Sequence, residues 1–253
     1  MKETYNSFLF PACLVSLTSK LKWPNYSWAP YAFCGAQLSA SKSSPRRVAG
    51  FIGFGRIAQA TLSRLTPFGF SECVYTSNPS SRPDPERDAS LAQWLRLKSL
   101  KRVSLNEVAS QSDVVFVLTP GGPETTNLVN EEFLGMMKKT AVLVNTSRGT
   151  VVDSAALAKA LREGWIWGAG LDVVAGEPKI PADHPLINES KYAFLNSDVL
   201  WKTFNPHSRC VMLPHIGSAT WQTRLDMAAL AVKNALAAIS CQDMPCAVNM
   251  DNL

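Results

Sequence analysis

The chain has 253 residues, of which 46% are apolar and 18% charged, and its mean hydropathy is close to zero. This composition is typical of a globular protein and excludes collagen-like, coiled-coil and wholly disordered chains. The net charge of +5 arises in residues 1–47, which carry six lysines and arginines against one glutamate, so the remainder has no net positive charge that would favour nucleic-acid binding.

The first part of the chain shows little regular patterning. Its longest apolar run, residues 8–17, contains Pro11 and is too short to cross a bilayer, so no membrane partner is expected. Residues 40–47 form a turn-rich linker, and we place a domain boundary after residue 45.

The cysteines form no CxxC pair and no cluster with histidine, so no metal is expected. Cys73 and Cys210 lie in strand-like runs, and buried reduced thiols there indicate a cytoplasmic protein.

From residue 48 onward, short apolar runs of strand type alternate with longer segments of helical periodicity. This alternation predicts an α/β fold, a doubly wound parallel sheet of the Rossmann type, over residues 46–226. The predicted strands cover residues 48–52, 73–76, 113–118, 141–145, 167–172 and 210–213. Ser104 and Glu107 form a capping box, while Asp153 and Gly164 mark the start and end of another helix. A last amphipathic helix is predicted over residues 220–239. Residues 227–253, which are the end of this helix and the tail after it, follow the predicted domain.

The first predicted strand runs into Gly53-Phe-Gly55-Arg-Ile-Ala58 and then into a helix over residues 56–65. Gly53 permits a tight turn, and Gly55 lets the backbone approach a pyrophosphate. The first helical residues, Arg56 and Ile57, turn backbone N–H groups toward the phosphates. We interpret this motif as a dinucleotide-binding site, the alternative being a strand-to-helix turn that binds nothing.

The second predicted strand ends without the Asp or Glu that an NAD-specific site places on the ribose hydroxyls. Ser77 and Arg82 lie in the loop that follows, which has small hydroxyl side chains and one guanidinium. Such a loop accepts a 2′-phosphate without charge repulsion, so we expect NADP, with NAD as the second option. The alternative is that Arg82 is simply solvated.

Three motifs follow in order: Asn-Thr-Ser-Arg-Gly-Thr-Val-Val-Asp at 145–153, Gly-Ala-Gly-Leu-Asp-Val-Val-Ala-Gly-Glu-Pro at 168–178, and Leu-Pro-His-Ile-Gly-Ser-Ala-Thr at 213–220. On these motifs the chain resembles the D-isomer-specific 2-hydroxyacid dehydrogenases. Residues 23–38 and the His-Pro-Leu at 184–186 are similar to the glyoxylate/hydroxypyruvate reductase branch.

The resemblance implies a catalytic set of Arg148, Glu177 and His215. Arg148 has a planar fork suited to a substrate carboxylate and its 2-oxo group. His215 can give a proton to the carbonyl oxygen, and the carboxylate of Glu177 would stabilise and orient the imidazolium. The resemblance also implies cofactor contacts in the three motifs and in the loop after the strand at 113–118, at Thr119, Pro120, Thr146, Asp172 and Gly217.

The chain departs from the family in two places. Residues 1–45 are shorter than the family's substrate domain, of which we expect only a remnant, and residues 189–209 are an apparent insertion. The expected function is hydride transfer from NAD(P)H to glyoxylate or hydroxypyruvate, with a small 2-oxo or 2-hydroxy acid as partner and a homodimer in the full-length family form. The alternative is an inactive, cofactor-binding truncated homologue or nucleotide-sensing module.

Overall fold

The computed structural model describes residues 47–189 and 209–247. The strands are β1 (Arg47–Ile52), β2 (Phe70–Thr76), β3 (Ser99–Arg102), β4 (Val114–Val117), β5 (Val142–Asn145), β6 (Gly168–Leu171) and β7 (Cys210–Met212). The helices are α1 (Arg56–Leu65), α2 (Pro85–Leu95), α3 (Leu105–Gln111), α4 (Glu131–Met136), α5 (Ser154–Glu163), α6 (Pro185–Glu189) and α7 (Trp221–Ile239). All seven strands pair in parallel in the order β3-β2-β1-β4-β5-β6-β7.

Side chains alternate along each strand, so each face of the sheet has apolar side chains, and helices cover both faces. On β4, Val115 and Val117 belong to one core with α3, α4 and α5, while Val114 and Phe116 belong to the other with α1. Helices on both faces of a parallel sheet make a doubly wound Rossmann-type domain, as the strand and helix alternation predicts. The carboxyl ends of all the strands therefore lie along one edge.

The six predicted strands are confirmed as elements, although β2 begins earlier, at Phe70, and several others differ by a residue at their ends. A seventh strand, β3, was not predicted. Its sequence is Ser-Leu-Lys-Arg, which lacks an apolar run because β3 lies at the edge of the sheet, where polar and charged side chains are favoured. The first strand, β1, lies inside the sheet between β2 and β4.

The predicted helix ends are confirmed by their hydrogen bonds. The Glu107 amide donates to Ser104 Oγ at 3.3 Å and the Ser104 amide donates to Glu107 Oε2 at 2.9 Å, which completes the capping box. Asp153 accepts from the amides of residues 155 and 156 at the start of α5, and Gly164 ends that helix at φ 72°. These caps fix where each crossover helix starts and stops.

The described residues divide into two compact units, one ending at His215 and one starting at Ile216. In the second unit Thr220 caps α7 by accepting the Thr223 amide at 3.2 Å, and none of the residues of α7 is buried. The predicted domain limits at 45 and 226 stay predictions, and the expected remnant and nearly all of the insertion at 189–209 lie outside the described residues. Within the described ranges no helix is long and apolar enough to cross a membrane.

Candidate active site

The backbone turns sharply at Gly53, between β1 and α1. Gly53 has a φ of 90°, and its amide donates to the Thr76 carbonyl at 2.9 Å. A Cβ at this position would lie 2.8–2.9 Å from backbone atoms of Leu118 and Thr119, too close for any side chain. Glycine therefore lets the ends of β1 and β4 meet where the strand order reverses direction, the place where open α/β sheets bind ligands.

The start of α1 has the properties of a phosphate cradle. Gly55 is the N-cap residue and gives no side-chain cap, the first turn holds no acidic residue, and Arg56 and Ile57 are exposed. A Cβ built on Gly55 would meet no atom within 4 Å, so the space above the helix start is open. Uncapped N–H groups and the positive end of the helix dipole favour an anion there. The residues present therefore fit the pyrophosphate of a dinucleotide.

Thr119 and Pro120, the predicted cofactor loop, follow β4 directly. The Thr119 backbone faces Gly53, since a Cβ built on Gly53 would lie 2.8 Å from the Thr119 amide nitrogen. The Pro120 carbonyl accepts from the Thr125 hydroxyl at 2.9 Å. The loop is thus folded beside the glycine turn.

A recess of about 290 Å³ lies beyond the carboxyl end of β2. It brings together the two predicted residues, Ser77 and Arg82, with two arginines that sequence reasoning missed, Arg87 of α2 and Arg102 of β3. Arg102 could not be found from the sequence because the polar edge strand that carries it has no apolar signature. For Arg87 the only local signal is its place in the Asp-capped first turn of α2.

Tyr75 is the penultimate residue of β2, close to the strand end after which an NAD-specific site would have a carboxylate. Its hydroxyl donates to Asp88 Oδ2 at 2.6 Å and accepts from Arg87 at 2.9 Å, while Arg87 also donates to Asp88 Oδ1 at 2.6 Å. Burial, followed by the hydrogen bond to Asp88, raises the pKa of Tyr75 to about 12, so the phenol stays neutral. The Phe54 ring stacks on Tyr75 with centroids 4.2 Å apart and completes an aromatic floor.

Arg148 is presented by the loop that follows β5. Asn145 shapes this loop, since its Oδ1 accepts the Ser147 amide and its Nδ2 donates to the Arg148 carbonyl, both at 3.0 Å. The Arg148 guanidinium is exposed and donates to the Ser147 carbonyl at 2.7 Å. Its stem packs on Gly121, where a Cβ would come within 2.7 Å of Arg148 Cγ. The arginine is therefore held at its base, and its exposed guanidinium has N–H donors besides the one bound to Ser147 that could reach a ligand.

Gly149 joins this loop to the loop that follows β6. A Cβ on Gly149 would lie 2.0 Å from the Val174 carbonyl carbon and 2.3 Å from the Ala175 amide nitrogen. Only a glycine permits the two backbones to touch here, three residues before Glu177. Sequence reasoning missed this contact, because a glycine in a motif does not show which backbone it faces.

His215 and Glu177 lie within hydrogen-bond distance of each other, with His215 Nδ1 3.0 Å from Glu177 Oε1. A carboxylate can only accept, so Nδ1 carries the proton and Nε2 is left to exchange protons with a ligand. His215 has a left-handed backbone at φ 53°, and its amide donates to the Asp172 carbonyl at 2.9 Å. A non-glycine residue held in this conformation costs about 1–2 kcal/mol, and such strain is often found at functional sites.

Two of the remaining predicted cofactor residues follow the carboxyl ends of β5 and β6, and the third belongs to the compact unit that starts at Ile216. Asp172 is buried and its amide donates to the Asn145 carbonyl at 2.9 Å, which links the ends of β5 and β6. Thr146 follows β5 and is partly exposed. Gly217 belongs to the second compact unit.

The structure thus brings Glu177 onto His215, Gly53 onto Thr119, and Ser77 into one recess with Arg82. Among the described residues, Arg148 makes no hydrogen bond or ion pair with Glu177 or His215, and it is connected to them through Gly149. No group of three or more His, Cys, Asp or Glu side chains placed to hold a metal ion occurs in the described ranges.

Comparisons with known proteins give a consistent result. The sequence model of the D-isomer specific 2-hydroxyacid dehydrogenase, NAD binding domain, matches residues 22–217. The glyoxylate reductase/hydroxypyruvate reductase of Homo sapiens is 39% identical over 219 residues, 87% of this chain but 56% of the human protein. The chain therefore spans little more than half the length of this relative.

Two solved structures extend the likeness to the fold. A protein from Thermus thermophilus superposes with a TM-score of 0.68 at 34% identity, over 92% of this chain and 62% of that one. The NADPH-dependent glyoxylate/hydroxypyruvate reductase of Sinorhizobium meliloti gives a TM-score of 0.59 at 30% identity, over 80% of this chain and 53% of that one.

Proposed function

Because the chain belongs to the D-isomer specific 2-hydroxyacid dehydrogenase family and carries its NAD binding domain, we propose that it reduces a small 2-oxo acid to the 2-hydroxy acid. Glyoxylate and hydroxypyruvate are the proposed substrates, since the similar proteins of Homo sapiens and Sinorhizobium meliloti are named for them. The observation that carries the proposal is the 3.0 Å pair of His215 and Glu177 at the carboxyl edge of the sheet.

In this proposal the dinucleotide is held by the turn at Gly53 and Gly55 with the start of α1 at Arg56 and Ile57. The other cofactor contacts would come from Ser77, Arg82, Thr119, Pro120, Thr146, Asp172 and Gly217. When bound, the reduced nicotinamide supplies a hydride to carbon 2 of the substrate.

His215 would supply the proton that the carbonyl oxygen takes up, through the nitrogen that does not face Glu177. The carboxylate of Glu177 stabilises the protonated ring and fixes its orientation. Arg148, with an exposed guanidinium, would bind the substrate carboxylate through two parallel hydrogen bonds. An arginine suits this task better than a lysine because its donors form a planar fork.

We propose NADPH as the preferred reductant. A recess with arginines and a neutral tyrosine at the end of β2 suits a 2′-phosphate, whereas an NAD-specific site would have a carboxylate there. A cytoplasmic location is also proposed, since Cys73 is a buried free thiol. The homodimer expected for the full-length family form stays a proposal.

A second candidate is a protein that binds the cofactor without turnover. The His215 side chain is 53% exposed, and an open site does not exclude water from the reacting groups as a closed cleft does. Such a protein would bind NADPH through the glycine turn and act as a nucleotide-sensing module.

One assay separates the two candidates. NADPH consumption is followed with glyoxylate, hydroxypyruvate and pyruvate, for the protein and for His215→Ala. The reductase proposal predicts turnover with at least one of the first two acids and a loss of about 10²–10⁴ in His215→Ala, the usual contribution of a positioned general acid. NADPH binding by both proteins, with no consumption by either, would favour the binding module instead.

A further inference from the structure

Arg102 lines the recess beyond β2 and binds the loop that follows β2, although it belongs to the neighbouring strand β3. It is the last residue of the edge strand β3, and its two terminal nitrogens donate to the Ser81 carbonyl at 2.8 Å and the Asn78 carbonyl at 2.9 Å. A guanidinium has five N–H groups, so three remain to bind a ligand. Arg102 therefore fixes the loop and still has donors to spare.

The loop that Arg102 holds is closed on itself. The Ser81 amide and hydroxyl both donate to the Asn78 carbonyl, at 2.9 and 2.7 Å, and the Ser80 amide donates to Asn78 Oδ1 at 2.9 Å. Ser77 Oγ lies 3.2 Å from Ser81 Oγ. Small hydroxyls and a guanidinium thus line one wall of the recess in a fixed arrangement, which lowers the ordering cost of binding.

The charges in the recess do not cancel. Arg87 forms an ion pair with Asp88 at 2.6 Å, and that carboxylate also accepts from the Tyr75 hydroxyl, so these three groups satisfy one another. In the described part of the chain, Arg82 and Arg102 form no ion pair with a carboxylate. Asp84, which caps α2, brings one further negative charge near Arg87. Beyond that, the two unpaired guanidiniums leave the recess positive.

We propose that Arg102 is a specificity-determining residue that selects the 2′-phosphorylated cofactor, by fixing the loop at residues 78–81 and by binding the phosphate itself. A phosphate monoester carries a charge of about −1.5 to −2 near neutral pH, and a guanidinium matches its geometry with parallel N–H donors. Arg82 extends from the loop, whereas Arg102 reaches it from β3, so the phosphate would be bound from two directions. This inference rests on the proposed NADPH function and deepens it.

The test is equilibrium binding without any substrate. NADPH and NADH are titrated by fluorescence, and 2′,5′-ADP by calorimetry, for the protein, Arg102→Gln, Arg102→Lys and the control Lys101→Gln. Lys101 precedes Arg102 on β3, so its side chain points to the opposite face of the sheet while its loss removes the same charge. NADH affinity also reports whether each variant is folded.

We expect Arg102→Gln to weaken NADPH and 2′,5′-ADP about tenfold to a hundredfold while NADH affinity changes by about twofold or less, as for loss of a charged hydrogen-bond donor. Arg102→Lys, which keeps the charge but not the fork, should lose less, and Lys101→Gln should change NADPH affinity by about twofold or less.

Equal weakening of NADH and NADPH in Arg102→Gln, or no weakening of either, would overturn the inference. Equal affinity of the unsubstituted protein for NADPH and NADH would overturn it too. That result would not contradict reductase activity, since the protein could use NADH. Conversely, a lack of reductase activity would contradict only the proposed function. The inference about Arg102 would stand, because it is tested by cofactor and 2′,5′-ADP binding without substrate.

Discussion

Replacing Gly149 by alanine should strongly destabilise the protein, because this glycine joins the Arg148 loop to the loop that carries Glu177. The added Cβ would lie 2.0 Å from the Val174 carbonyl carbon and 2.4 Å from its oxygen. Carbon atoms in contact are about 3.5–4.0 Å apart, so one of the two backbones must move by more than about 1 Å. Neither side can yield by rotating a side chain, since the atoms met are backbone atoms.

Both backbones are also tied down. The Gly149 carbonyl accepts from the Val152 amide at 3.2 Å, and the Val174 carbonyl accepts from the Glu177 amide at 3.3 Å. Overpacking of a core typically costs about 1–3 kcal/mol, and we expect the upper end, about 3 kcal/mol, because side-chain repacking cannot relieve it. For a chain of this length about 3 kcal/mol lowers the Tm by roughly 6–12 °C.

A matched control is Gly170→Ala on the neighbouring strand β6, where a Cβ would meet no atom within 4 Å. This change should be neutral or slightly stabilising, since it removes a flexible glycine from a strand. Thermal unfolding followed by circular dichroism compares the two variants. A Tm for Gly149→Ala within about 2 °C of the Gly170→Ala value would refute the reasoning, because it would mean that the two loops separate at no cost.

Three further results are expected. Arg148→Lys should raise KM for glyoxylate about tenfold or more while NADPH affinity stays the same, because the lysine loses the bidentate contact to the carboxylate, and steady-state kinetics with cofactor titration check this. Glu177→Gln keeps an acceptor for His215 but removes the charge that stabilises its protonated ring, so kcat should fall about tenfold with little change in melting temperature. Burial, partly opposed by Asp183, lowers the pKa of His184 from 6.5, so the unfolded chain binds a proton more readily. Stability is then full above about pH 6.5 and is lost as the pH falls through and below that value, and His184→Gln should flatten this dependence in melting curves.

Strongly patterned elements could be predicted from the sequence. The strands β1, β4 and β5 are apolar on both faces, and the crossover helices have capping residues such as Ser104 and Asp153, so their existence follows from local physics. The edge strand β3 could not be predicted, because a strand with one neighbour and solvent beside it needs no apolar run. Missing β3 also meant missing Arg102.

The candidate site could be predicted in its residue types but not in its contacts. Glu177 and His215 are 38 positions apart, and only the parallel sheet brings their side chains to 3.0 Å. The contact of Gly149 with Val174 likewise depends on the packing of two loops that follow different strands. Motifs identify candidate groups, while the sheet topology decides which of them meet.

The most direct test of the central claim is chiral analysis of the product formed from hydroxypyruvate and NADPH. Reduction by a D-isomer specific enzyme predicts D-glycerate in an amount equal to the NADPH consumed, and none from the His215→Ala protein on the same timescale. L-glycerate, a racemic product, or D-glycerate formed equally well without the His215 imidazole would contradict the account.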